Sequence, residues 1–204
     1  MINLPPSMQS TLPTHLYAWL ILIAGLICLA YVARVISKEK ISLEEDGQIL
    51  TWNKLKLFIP NWWISQIEDD RCHFYQGDQQ YQWSFIICKT LYPNIELSKE
   101  RFLDQEKIIL DEDAVLSSRA DYCLKNPNIF AHIKDFLHLE GTATQDESER
   151  IYLEATWIKL NSGETYQFIS QSAVLAGMVE GPYVEEVLKR LDLLTDLEFL
   201  KNSH

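Results

Sequence analysis

From Leu16 to Ala33 the chain reads LYAWLILIAGLICLAYVA without one charge, and Val35 and Ile36 extend the run past Arg34. About 20 apolar residues rising 1.5 Å each cross the roughly 30 Å hydrocarbon layer of a bilayer, so residues 16–36 are predicted to be a transmembrane helix. Pro13 and Thr14 mark its start, with Thr14 as N-cap. A short tail, 1–15, precedes it. A polar connector, 37–48, follows, ending in ISLEEDGQ with Asp46-Gly47 as a turn signal. Residues 49–204 are assigned to one water-soluble domain.

In that domain the apolar period drops to two. Leu50 and Trp52 alternate with polar neighbours, then Leu55, Leu57 and Ile59 do so in a shifted phase, which predicts a turn near Asn53 between two short strands. Pro60-Asn61-Trp62-Trp63 closes the second strand, because proline cannot donate to a ladder. Gly77-Asp78 predicts another turn, and Tyr81, Trp83, Phe85 and Ile87 make a half-buried strand. After Pro93 the spacing becomes helical, with Ser98 as N-cap and Phe102, Leu103, Ile109 and Leu110 along the helix to about Leu116. A shorter helical piece covers Ser117–Leu124, and Ile129–Ile133 reads as a turn or short strand. Phe136–Thr144 reads as a strand. So does Ile151–Trp157, where Tyr152, Glu154 and Thr156 form the polar half of the alternation. Asn161-Ser162-Gly163 turns the chain into a returning strand, Thr165–Ser170. The last helix starts with Gly181 at N-cap and Pro182 at N1 and buries Val184, Val187, Leu188 and Leu191. Strands, helix, strands, helix is an α+β order: an antiparallel sheet covered on one side by helices.

Charge sharpens this picture. Of the 204 residues, 18 are Lys or Arg and 29 are Asp or Glu, and none of these precedes Arg34. Setting aside Arg34, Lys38, Lys40 and Glu39 leaves 15 bases and 28 acids, a balance of −13 from Ile41 onward. Such a domain has no basic field to exchange for counterions, which argues against nucleic acid as a partner. Bases follow the helix and none precedes it, so the positive-inside rule puts the domain on the cytoplasmic face of a cell inner membrane. Trp19 and Tyr17 near one end and Tyr31 near the other fit the interfacial aromatic belts, and Arg34 can place its guanidinium among headgroups. The region before the helix has no basic residue and Ile27 precedes Cys28, so neither a cleaved signal peptide nor a lipoprotein is expected. No GxxxG pattern speaks for self-association of the helix, which is left open.

Candidate chemistry is sparse. Outside the anchor stand Cys72, Cys88 and Cys123, an odd set at no repeating interval, read as small buried apolar side chains rather than a disulfide framework. His132 and His138 flank Asp135 and Cys72 adjoins His73, but no paired spacing of the zinc kind occurs, so no metal is expected. Ser170 and Ser172 lack a nucleophile elbow, and Gly177 and Gly181 lack a phosphate-cradle context. Asp69/Asp70, Asp111–Asp113 and Asp146–Glu149 read as solvated charges. Neither catalysis nor a cofactor is expected. Trp62 and Trp63 are the candidate partner-binding residues: adjacent strand residues point to opposite faces, so one of the two must look away from the core.

The stretch LKLFIPNWW, Leu55–Trp63, resembles the early strand, closing proline and sealing tryptophan of the Mog1/PsbP-like α/β/α superfamily, which includes the DcrB-like proteins. The hairpin IYLEATWIKLNSGETYQFISQSA, Ile151–Ala173, followed by a helix over Tyr183–Leu194, is similar to the same group, for a coverage of roughly Gln48–Leu194. The resemblance implies a non-enzymatic module that binds a partner protein within a larger assembly, and it transfers no catalytic residue. Members are often soluble, lumenal or lipid-anchored on the outer side, whereas the charges here favour the cytoplasm. The expectation is a membrane-anchored accessory or assembly subunit in a membrane protein complex. The alternative is a membrane-tethered ligand-binding or sensing module.

Overall fold

The computed structural model describes residues 12–77, 82–90, 92 and 94–194. Tyr81 of the predicted strand, Asp78 of the predicted turn, Pro93, most of the tail and residues 195–204 lie outside the described residues. The chain divides into two units, one ending at Asp46 and the other starting at Gly47.

The first unit is one helix, α1, Leu12–Asp46, 35 residues long. It begins before Thr14, and it runs through the segment read as a connector. SKEKISLEED is rich in helix formers and holds no Gly or Pro, so nothing breaks the helix until Gly47 just past its end. The side chains of Tyr17 through Arg34 are exposed.

The second unit is α+β. A three-stranded sheet joins β1 (Gln48–Trp52), β2 (Leu55–Ile59) and β11 (Asp192–Leu193). An eight-stranded antiparallel sheet has the order β3 (Ile64–Ile67), β4 (Arg71–Tyr75), β5 (Ser84–Thr90), β10 (Thr165–Ala173), β9 (Glu149–Leu160), β8 (Ile133–Gln145) and β6 (Ile108–Leu110), with β7 (Val115–Ser117) also on β8. The β1–β2 turn is Asn53-Lys54, where Asn53 takes φ 52, a left-handed conformation that Asn tolerates. Lys54 and Lys89 both reach Glu164, each at 2.8 Å, tying that turn to β5 and to the start of β10.

Period-2 alternation in the long strands makes two cores. On one face Phe74, Phe85, Phe168 and Ile158 meet Trp52, Leu55, Leu57 and Ile59 of the small sheet and Val184, Val187 and Leu188 of α4 (Val174–Lys189). On the other, Leu153, Ala155 and Trp157 meet α2 (Ile95–Gln105), with Phe102 edge-on to Trp157 at 6.0 Å. Helices therefore lie on both faces rather than on one.

Several elements differ from the sequence expectation. Strands β3 and β4 occupy a stretch to which the sequence pattern assigns no strand. Helix α2 is capped by Asn94, whose Oδ1 accepts from the amides of Glu96 at 2.9 Å and Leu97 at 3.3 Å, while Ser98 is buried one turn later. It stops at Gln105 because Lys107 takes φ 50, and Ile109 and Leu110 continue as strand β6. The Ser117–Leu124 piece is a single 3-10 turn at Ala120–Tyr122, and Pro127–Phe130 is a short helix, α3. Helix α4 starts directly from the end of β10, so Pro182 sits inside it and Gly181 is not its cap.

Candidate functional site

Trp62 and Trp63 sit in the turn after β2 rather than on a strand. Trp63 is 3% exposed, and its ring lies 4.7 Å from Trp83, 5.8 Å from Phe85 and 6.0 Å from Phe74. It is a core residue with no surface to offer a partner. Trp62 is half-buried, edge-on to Tyr183 of α4 at 5.4 Å, and is the member of the pair that keeps some surface. Beside it, β3 is the edge of the large sheet, and all four of its residues are exposed, with Ile64 at 43% and Ile67 at 49%. Trp19, Tyr31 and Arg34 are exposed along α1.

The His132/His138 and Cys72/His73 groupings drawn from the sequence do not converge on one site. His132 lines a separate surface cleft with Lys54 and Asn161, and Cys72 is buried in the core. Among the described residues no group of three His, Cys, Asp or Glu side chains is placed to hold a metal ion. The cysteines are free thiols. Burial pushes the Cys72 and Cys123 thiols up to about 12 and Cys88 up to about 11, so all three are unreactive at neutral pH.

The cluster the sequence reading passed over lies on the polar rows of β8 and β9. His138, Glu140 and Thr142 project from the face of β8 that carries Phe136, opposite Thr156, Glu154 and Tyr152 of β9 in register. The 3-10 turn brings Tyr122 and Cys123 to this face, and α4 brings Gly181, Pro182 and Glu185, bordering a half-open cleft of ≈ 450 Å³. That lies within the size range of small-molecule sites, about 300–1,000 Å³.

His138 is 3% exposed; its Nδ1 is 2.8 Å from Thr156 Oγ1, its Nε2 is 3.7 Å from Glu140, and the Tyr122 ring lies 5.4 Å away. Tyr152 donates its hydroxyl hydrogen bond to Glu140. The His138 imidazole first, and then Tyr152, hold the Glu140 carboxyl below its ordinary 4.5. Burial first, then that same bond, raises the Tyr152 phenol. Glu154 is 8% exposed and has no hydrogen-bond partner among the described residues. Burial, followed by the charges of Glu140 and Glu185, pushes it up to about 8. Two neighbouring carboxyls are thus driven in opposite directions by their surroundings. The signal was on the page as the polar half of the alternation, but a polar row is the same whether water or a helix covers it.

No protein-family model matches this chain, and no curated protein sequence does. Solved structures similar to it include a Pseudomonas aeruginosa protein of unknown function, with 13% identity, TM-score 0.44, and coverage of 73% of this chain and 98% of that one. Another is the cyanobacterial PsbP of Synechocystis, with 13% identity, TM-score 0.49, and coverage of 72% and 92%. The resemblance drawn from Leu55–Trp63 and Ile151–Ala173 thus has a PsbP among the similar structures. With TM-scores under 0.5, neither likeness carries an inference about function.

Proposed function

We propose that this chain is a single-pass membrane protein whose second unit is a non-catalytic accessory or assembly module for a membrane protein complex. The observation that carries the reading is the 19-residue span Tyr17–Val35 of α1, mean hydropathy 2.2, with its apolar side chains exposed from Tyr17 to Ala33. Exposed apolar surface of that length is stable in hydrocarbon and costly in water. Partner contact is supported by the outer edge of β3 and by Trp62, because a strand paired on one side only by β4, with Ile64 and Ile67 exposed, offers backbone groups and apolar anchors to an added strand. Arg34, Lys38 and Lys40 after the span favour a cytoplasmic domain on a cell inner membrane.

Tagged full-length protein purified from its native membranes should carry a stoichiometric companion that Ile64→Lys or Ile67→Lys releases. Recovery from the soluble fraction, or from membranes without a companion, would overturn the reading. A reporter fused after His204 that is active only outside the cytoplasm would reverse the orientation. A second reading, a tethered ligand-binding module, is favoured by the cleft over Glu140 and Glu154.

A further inference from the structure

Among the described residues the cleft is lined by the carboxyls of Glu140, Glu154 and Glu185 and by no Lys or Arg. Glu140 and Glu154 stand directly opposite each other across β8 and β9, a pairing that is destabilising when both are charged. The nearby bases are already engaged. Lys189 pairs with Glu185 at 2.9 Å, and Lys125 donates to the Asp121 carbonyl at 2.7 Å. Glu140 is served by His138 and Tyr152, whereas the buried Glu154 carboxyl lines the cleft with no hydrogen-bond partner among the described residues. A cation entering the cleft supplies the missing partner, and the ring of Tyr122 offers it a π face. A volume of ≈ 450 Å³ leaves room for a cation larger than a bare ion.

Resting on the reading of this cleft as a ligand site, we propose that it binds a small organic ammonium, with the cationic nitrogen held between Glu140 and Glu154. Among the described residues the groups facing Glu154 are His138 and Glu140 from β8, Tyr152 from β9, Tyr122 and Cys123 from the 3-10 turn, and Glu185, itself paired to Lys189, from α4. Of these, Glu140 and Glu185 raise its affinity for a proton, and an ammonium acts against them. Binding near neutral pH therefore expels the Glu154 proton and tightens as pH rises through about 8.

Full-length protein in detergent micelles, titrated calorimetrically at neutral pH, tests this with putrescine, its neutral analogue butanediol and the dianion succinate. Putrescine alone should bind, with a heat that depends on the ionisation enthalpy of the buffer as the proton leaves. Glu154→Gln should weaken it by at least about tenfold, and Glu140→Gln is the second variant should the first fail to fold. Binding of butanediol or succinate instead of putrescine overturns the ammonium assignment while the ligand cleft stands. Silence from all three overturns both. Putrescine binding that neither variant weakens places the cation elsewhere and overturns the proposal too.

Discussion

Replacing Glu154 by Gln isolates the cost of one buried carboxyl. The amide keeps the shape of the protonated acid but cannot ionise. In the folded chain the carboxyl holds its proton up to about 8, against an ordinary 4.5. The unfolded chain releases that proton near 4.5, so between about 4.5 and about 8 the folded state binds more protons and stability falls as pH rises. At about 1.4 kcal/mol per pH unit, the full interval is worth at most about 5 kcal/mol, all of it lost above about 8. Glu140 does not blur the window, because a carboxyl held below 4.5 is ionised throughout it. His73, lowered by burial and then by Arg71, is common to both proteins, so it cancels in their difference. Urea unfolding followed by tryptophan fluorescence at pH 5, 7 and 9 should show the variant gaining on the parent by several kcal/mol at the alkaline end and little at the acid end. A difference that stays constant with pH would refute the reasoning.

Three further outcomes follow from the packing. Trp63→Ala should cost about 3–5 kcal/mol in urea unfolding, whereas Trp62→Ala, on a half-covered ring, should cost less than half as much. Gly141→Ala should cost about 1–3 kcal/mol, because its Cβ would stand 2.5 Å from the Ala114 Cα, backbone that cannot swing aside. A chain beginning at Gly47 should unfold in one cooperative urea transition, since both cores are closed within that unit; aggregation under all mild conditions would count against it.

What could be read from the residues was what is local. The β1–β2 turn at Asn53 and the β8–β9–β10 run announce themselves through strict alternation, and α1 through its charge-free length. Strand β3 was hidden because all four residues face solvent and it has no buried half to mark its period. Ile108-Ile109-Leu110 belongs equally to a helix and to a strand by periodicity alone, and the arbiter, a left-handed Lys107, is not encoded in any Gly or Asn. Gly181-Pro182 imitates a helix start, while the true start at Val174 follows β10 without a loop. The cleft escaped for a different reason. The rows His138, Glu140 and Tyr152, Glu154 were visible, but their roof comes from Tyr122 and Glu185, distant in sequence.

The buried thiols also make this fold a timekeeper of its own opening. Cys72 sits under the aromatic core in β4 and Cys123 walls the cleft beside the 3-10 turn, each protonated far above neutral pH. A thiol reagent can reach either one only through a transient opening, so its rate counts those events rather than surface collisions. Two native reporters, one in the aromatic core and one at the cleft, therefore let a labelling time course resolved at Cys72 and Cys123 tell whether the cleft loosens alone or only when the whole unit unfolds.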